Sequence, residues 1–250
     1  MNSWLKFRAL TRVGLPHSTP LLPALLLLVL SASGCATSEQ PVGRSDFAAR
    51  RQNIKTVAIV QPDVKIIKKV VGNPEQPLTE DDARVATELM TLLSHEFSDR
   101  SFKVQVANLD SESHDRTQSA YDQISYGQLN DAQHPTLTVP KNVGGATDIA
   151  RSNKVDAVVF TAFQGVTRSH GSVAAEVATD VVVAVATMGI IVPAKSPNGA
   201  AQLLVVLVDG ADGNVLWQNQ STETWPVEVP TFEDKDIAPM MTAVFEKFPP

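Results

Sequence analysis

The sequence predicts a single α/β domain, a mixed sheet covered by helices, behind an export leader. Three observations predict it. Short apolar runs at Thr56–Val60, Asp156–Phe163 and Ala201–Val208 suit buried strands. Apolar residues recur at helical spacing over Thr79–Ser98 and Ile237–Phe248. Strands and helices then alternate along the chain, which is the pattern of helices packed on a sheet. No internal repeat and no second domain is visible.

Residues 1–34 read as a signal peptide. Lys6, Arg8 and Arg12 make a positive start, Leu21–Leu30 is an apolar core, and Ser31–Gly34 is a run of small residues. The apolar core is about half of the ~20 residues a membrane-spanning helix needs. Cys35, the only cysteine, follows at once. A lone thiol in an oxidising compartment is a liability unless something occupies it.

The run Leu30-Ser31-Ala32-Ser33-Gly34-Cys35 resembles the lipobox of bacterial lipoproteins, with Ala32 where leucine is usual. The resemblance implies cleavage between Gly34 and Cys35, diacylglycerol on the Cys35 thiol, and acylation (palmitate in type) of the new amino terminus. Ordinary cleavage leaving a free Cys35 is the alternative. Ala36 stands where such lipoproteins carry Asp for inner-membrane retention, so the implied location is the periplasmic face of the outer membrane.

The leader holds three of 21 basic residues and none of 27 acids, so the mature chain sets 18 bases against 27 acids, a net charge of −9. That balance opposes nucleic-acid binding. It also supplies no polybasic patch for anionic lipid. Lipid on Cys35 is the expected tether.

Residues 35–53 are small and polar, with Pro41 and Gly43, and are expected to form a flexible stalk. Arg44, Arg50 and Arg51 are expected to be solvated or to touch headgroup phosphate. The α/β domain is expected to span 54–250. Val64–Val71 reads as a strand whose three lysines mark an exposed edge. Thr79 is placed to cap a helix, with Glu80, Asp81 and Asp82 on the positive end of its dipole. Phe102, Val104 and Val106 alternate as a half-buried strand. Tyr121, Ile124 and Leu129 suggest a helix between Asp115 and Asp131. Gly144-Gly145 leads into a short helix. Asp209–Asn214 is a hairpin turn between Ala201–Val208 and a return strand through Val215-Leu216-Trp217, Thr222 and Thr224. Pro239 fits the first turn of the last helix.

Val173–Pro193 is mostly apolar, but Glu176 and Asp180 interrupt it and the uncharged part is too short to span a bilayer. It reads as core or surface-packed chain, as a contact with a neighbouring subunit, or as a membrane-inserting element.

Catalytic patterns are weak. His95-Glu96 begins a zinc-binding HExxH, but Asp99 and then Arg100 follow, with no second histidine at the required place. His114, His134 and His170 lie in polar surroundings without partners at ligand spacing. Asp209 and Asp212 lack the alternation and closing glutamate of a calcium loop. Gly144-Gly145 has no lysine-serine pair after it, as a phosphate loop requires. Asp81-Asp82 and Glu233-Asp234 are paired carboxylates in helix-start or loop contexts, where a solvated role is the default. No metal and no cofactor is implied.

Three stretches resemble the periplasmic lipoproteins related to the curli secretion protein CsgG and to the N-terminal domain of TolB. They are Val57–Val60, the helix Thr79–Ser98 leading into Phe102-Lys103-Val104, and Leu207-Val208-Asp209 through Gly213-Asn214-Val215-Leu216-Trp217. The resemblance implies a CsgG-like or TolB N-terminal-like α/β sandwich. It also implies a non-enzymatic role in outer-membrane assembly or secretion through contacts with another envelope protein. Alternatives are an oligomeric subunit of an export apparatus, using 173–192 against membrane or neighbours, and an enzyme with an unread site. A homo-oligomer is compatible with the first two.

Overall fold

The computed structural model describes residues 37–38, 42–70, 74, 76–109, 111–129, 141–168, 184–185, 190–191, 198–226 and 228–249. The signal peptide, Gly34, Cys35, most of 173–192, His134 and His170 lie outside the described residues. So do residues 130–140 and Glu75.

The chain first lays two short strands, β1 (Thr37–Ser38) and β2 (Val42–Gly43), and a five-residue helix, α1 (Phe47–Arg51). Strands β3 (Thr56–Ile59) and β4 (Asp63–Lys69) follow, then the two-residue β5 (Gln76–Pro77). Helix α2 (Thr79–Asp99) leads to β6 (Lys103–Val106), helix α3 (Ser111–Leu129) and helix α4 (Ala146–Asn153). The long strand β7 (Ala157–Arg168) comes next. A separate antiparallel pair, β8 (Ala184–Val185) with β9 (Ile190–Ile191), is followed by β10 (Gly199–Asp209), β11 (Val215–Trp225) and helix α5 (Asp234–Phe245).

The expected mixed α/β fold is what the chain adopts. The main sheet runs β1-β11-β10-β7-β3-β6, with β2 also on β11 and β4 on β7. Strands β3, β4 and β6 run parallel to the chain direction of β7, while β10 opposes β7 and β11 opposes β10. The sheet therefore has two distinct ends. At the foot, β3 and β7 begin and β10 ends. At the head, β4, β7 and β11 finish and β10 begins.

β7 is the central strand, and all twelve of its residues are buried. Its apolar residues alternate between faces: Ala157, Val159 and Phe163 join one core, Val158, Phe160 and Ala162 the other. A strand covered on both faces needs a continuous apolar run, as this one has in its first half. α2 and α5 cover the first face through Val85, Leu89, Leu93, Phe97, Met240, Met241 and Val244. α3 and α4 cover the second through Ala120, Tyr121, Ile124, Ile149 and Ala150.

β3 and β4 lie end to end on the same side of β7. Ile59 pairs with Val159 and Asp63 with Ala162, so the β3–β4 side holds one extra residue between those pairs. Pro62, with no N–H to offer, falls in that bulge. The Tyr121 hydroxyl donates to the Gln61 carbonyl at 2.8 Å, supplying it a donor beside the bulge. Burial pushes that hydroxyl's pKa above its ordinary range, which keeps it a donor.

Several expectations shift. α2 begins as expected, but Thr79 is its first helical residue and Leu78 holds the cap position without a side-chain bond. β4 is no bare edge, since it lies between β7 and β5. β6 is the true outer strand there, and its Val106 is 64 % exposed instead of buried. α5 starts at Asp234, so Pro239 sits inside the helix and not in its first turn.

The described part of the expected stalk, 35–53, is folded onto the domain. β1 and β2 pair with β11. Phe47 is 3 % exposed and meets Phe248 edge-on at 5.8 Å. Ordered chain therefore reaches upstream of the boundary expected at 54.

Candidate functional site

The foot of the sheet gathers the densest set of charges. The β10–β11 turn forms as its Asp and Gly residues dictate. The Asp209 carboxylate accepts the Ala211 N–H at 2.8 Å, the Asp212 carboxylate accepts the Asn214 N–H at 3.0 Å, and Gly213 takes a φ of +71°. The turn so built aims two carboxylates back toward α1.

Arg44 and Arg50 meet them. Arg50 pairs with Asp209, whose side chain is 10 % exposed, and with Asp46 at 3.0 Å. Arg44 pairs with Asp46 at 2.8 Å and with Asp212 at 3.2 Å. The expectation that these arginines are solvated or touch lipid phosphate does not hold for the folded domain. They clamp the N-terminal segment to the hairpin. Arg51 differs again: it lies over the Phe102 ring at 4.4 Å and donates to the Arg100 carbonyl at 2.7 Å.

Beside the clamp is a cavity of about 660 Å³ lined by Arg50, Asn53, Thr147, Arg151, Asp156 and Asp209, among others. Asp156 ties the starts of β3 and β7 together. One of its oxygens accepts the N–H groups of Lys55 and Thr56, both at 2.9 Å, and the Thr56 hydroxyl at 2.8 Å. Arg151 pairs with Asp148 at 2.7 Å.

The electrostatics of this end share one sign. The hydrogen bond from Arg44 holds the Asp46 carboxyl below its usual range, with Arg50 adding to it. Burial would raise Asp156, but the Lys55 and Thr56 bonds outweigh it and the net shift is downward. Asp212 behaves alike, its burial outweighed by the Asn214 amide and by Arg44. A carboxyl lowered in this way stays ionised and is a weak base. General acid–base work needs one raised toward neutrality.

The head of the sheet shows the opposite sign. Burial raises Asp82, although its carboxylate accepts the Ile66 N–H at 2.8 Å. Burial raises Glu88, and Asp234 adds to the shift. Burial also raises Glu223, with Asp236 contributing. Glu223 is 7 % exposed, and one of its oxygens has no hydrogen-bond partner among the described residues.

Comparison with known proteins adds outline only. No family model matches the chain, and no curated protein matches it. Among solved structures it is similar to the PelC dodecamer from Paraburkholderia phytofirmans, at 12 % identity and a TM-score of 0.36, over 85 % of this chain and 95 % of that one. It is also similar to the LpoB C-terminal domain from Salmonella enterica, at 10 % identity and a TM-score of 0.27, over 72 % of this chain and 94 % of that one. E. coli LpoB matches at 10 % identity and a TM-score of 0.27, over 90 % of this chain and 83 % of that one. Likenesses this low establish neither a family nor a function. The expected resemblance to CsgG- and TolB-type lipoproteins is not shown by them.

The other residues singled out in the sequence are dispersed. His95 faces solvent on α2, 3.2 Å from Asp99, and His114 is exposed on α3. Asp81 pairs with Arg84 at 2.9 Å. Glu233 holds the cap position of α5 without a side-chain bond. Gly145 caps α4 at a φ of +83°. Among the described residues, no group of three or more His, Cys, Asp or Glu is placed to hold a metal. Among the same residues, no helix is long and apolar enough to cross a membrane. The Arg44–Arg50 clamp went unread because its halves lie more than 150 residues apart. Its only local signal was the Asp/Gly turn.

Proposed function

We propose that the chain is a non-enzymatic envelope lipoprotein. Lipid on Cys35 holds it to the periplasmic face of the outer membrane. It works through contacts with other envelope proteins in outer-membrane assembly or secretion. The observation that supports the non-enzymatic reading is the state of the foot, the clamp and the cavity beside it. Asp46, Asp156 and Asp212 are held low, and Asp209 is bound to Arg50 and the Ala211 amide. These charges secure chain segments to one another. The leader and its lone Cys35 support the anchor.

The anchor is tested by Cys35→Ser. The variant is expected to appear in the soluble periplasm or to remain uncleaved. Normal processing with continued membrane fractionation would overturn the anchor. Crosslinking in intact cells, followed by mass spectrometry, identifies the partner.

A second reading is an oligomeric subunit of an export apparatus. The outer strand β6 favours it, because among the described residues it pairs only with β3 and presents Val106 to solvent. An unpaired strand edge is a template for another chain. Mass measurement in detergent decides: a large ring supports this reading, and a monomer or dimer counts against it.

A further inference from the structure

We infer that the domain pairs with a second copy of itself through β6, edge to edge and antiparallel, about a two-fold axis at Gln105. The pairing goes beyond the envelope reading above and does not depend on the lipid anchor.

The sheet covers its other margins. β4 is flanked by β5, and β11 by β1 and β2. Among the described residues, nothing pairs with the far side of β6. The strand also lacks the usual guards against pairing. It has no proline, its register with β3 is unbroken, and Lys103 is its only charge. The exposed Val106 lies on this same strand.

Bonds to β3 decide which backbone groups face outward. The Lys103 N–H donates to the Lys55 carbonyl at 2.8 Å, and the Ala107 N–H donates to the Ile59 carbonyl at 2.9 Å. Residues along a strand bond to one neighbour alternately, so Lys103, Gln105 and Ala107 face β3. Val104 and Val106 therefore turn N–H and C=O to the open side. The next outward N–H groups on either flank are already spent. Phe102 donates its N–H to the Phe97 carbonyl at 3.1 Å, and Asn108 donates its N–H to the Asn153 side-chain oxygen at 2.7 Å.

Those limits select the register and the partner. An antiparallel copy that sets Val104 against Val106 of the other chain uses both outward residues of each strand in hydrogen-bonded pairs. Moving the centre to Val104 or Val106 sets a free residue against Phe102 or Asn108, whose N–H is taken. Side chains agree with the same register. Val106 meets Val104 of the copy on one face, so the exposed valine gains an apolar neighbour. Lys103 meets Ala107, and the two Lys103 residues stand roughly 14 Å apart along the strands. That exceeds the Debye length of about 8 Å at physiological salt, so no like charges oppose the contact. The strand is thus complementary to itself. A two-fold pair uses up the edge on both chains and closes at a dimer. It is an alternative to the export ring and not a step toward one.

The test uses the full chain, produced in cells and solubilised in mild detergent. Gln105→Cys puts a thiol on the axis. Residue 105 then opposes itself in a pair without hydrogen bonds, where Cα atoms lie about 4.5 Å apart. That separation suits a disulfide. Lys103→Cys, at a position that is also exposed, places its thiols roughly 14 Å apart along the strands, out of reach. The wild-type chain, with Cys35 alone, is the blank. Under mild oxidation, Gln105→Cys is expected to give a reducible dimer at several times the yield of Lys103→Cys or the wild type, with peptide masses joining 105 to 105. Adding Val106→Pro removes an outward N–H that no bond inside the domain uses, as edge strands tolerate. It is expected to cut the dimer to the Lys103→Cys level, with the circular dichroism spectrum unchanged. No dimer at 105, an equal yield at 103, or a yield undiminished by Val106→Pro would overturn the pairing. A large ring in detergent without a disulfide at 105 would overturn it too, and would leave the export reading standing.

Discussion

Glu223 and Asp156 show how differently one chain can treat two carboxyls. Asp156 has three donors on a single oxygen, and its pKa is lowered. Its contribution to stability is present above the unfolded value of about 3.8 and is lost as pH falls through the lower folded value. Asp156→Ala removes bonds to a charged acceptor and is expected to cost about 1.5–3 kcal/mol at neutral pH. Urea denaturation measures this, and an unchanged midpoint would count against the pinning role. Glu223 runs the other way. Its pKa is raised, so it favours the fold below its unfolded value of about 4.5, and that contribution is lost as pH rises through the folded value. Above that range the buried charge opposes folding. Glu223→Gln keeps the shape and removes the charge, so it should raise the urea midpoint at pH 7. The gain should shrink as pH approaches 4.5. Equal gains at both pH values would show that charge is not the cause.

Among elements, legibility followed length. α2 spans 21 residues and repeats its buried stripe through Val85, Leu89, Leu93 and Phe97, so periodicity alone located it. The α5 stripe was equally plain. β1, β2 and α1 are two to five residues long, too short to show any period, and they exist because β11 and Phe248 are there to receive them. The far half of β7, beyond Phe163, shows no strand signal in the sequence for another reason. Gln164 and Thr167 look like loop residues, yet both are buried in a strand paired on both sides. Gln202 and Gln220 bond each other across the strands at 2.7 Å, which makes such polar residues tolerable inside. The docked α1 has its own test. Trypsin should cut slowly after Arg50 and Arg51 in the native protein. Phe47→Ala should speed that cleavage markedly and cost up to about 3 kcal/mol, the low end for a buried Phe. Fast cleavage of both proteins would show that the segment is not held.

For the molecule as a whole, alternating strands and helices were enough to foresee a mixed sheet covered by helices. They said nothing about which charges would meet. The foot clamp depends on the β10–β11 turn carrying Asp212 to a segment that precedes it by more than 150 residues, and only the assembled sheet brings them together. Assembly also sorts the acids. Asp46, Asp156 and Asp212 at the foot are held low by arginines and amides, and Asp82, Glu88 and Glu223 at the head are raised by burial and by neighbouring acids.

The direction of β1 and β2 has a mechanical consequence. Both run antiparallel along β11, starting from the head. If a partner grips the foot while lipid holds Cys35, tension acts along the strands. The inter-strand bonds then share the load in shear, and none can open without its neighbours. A tether attached at the foot would instead peel them apart one by one. The same few residues that follow Cys35 would thus be arranged to resist being drawn away from such a tether.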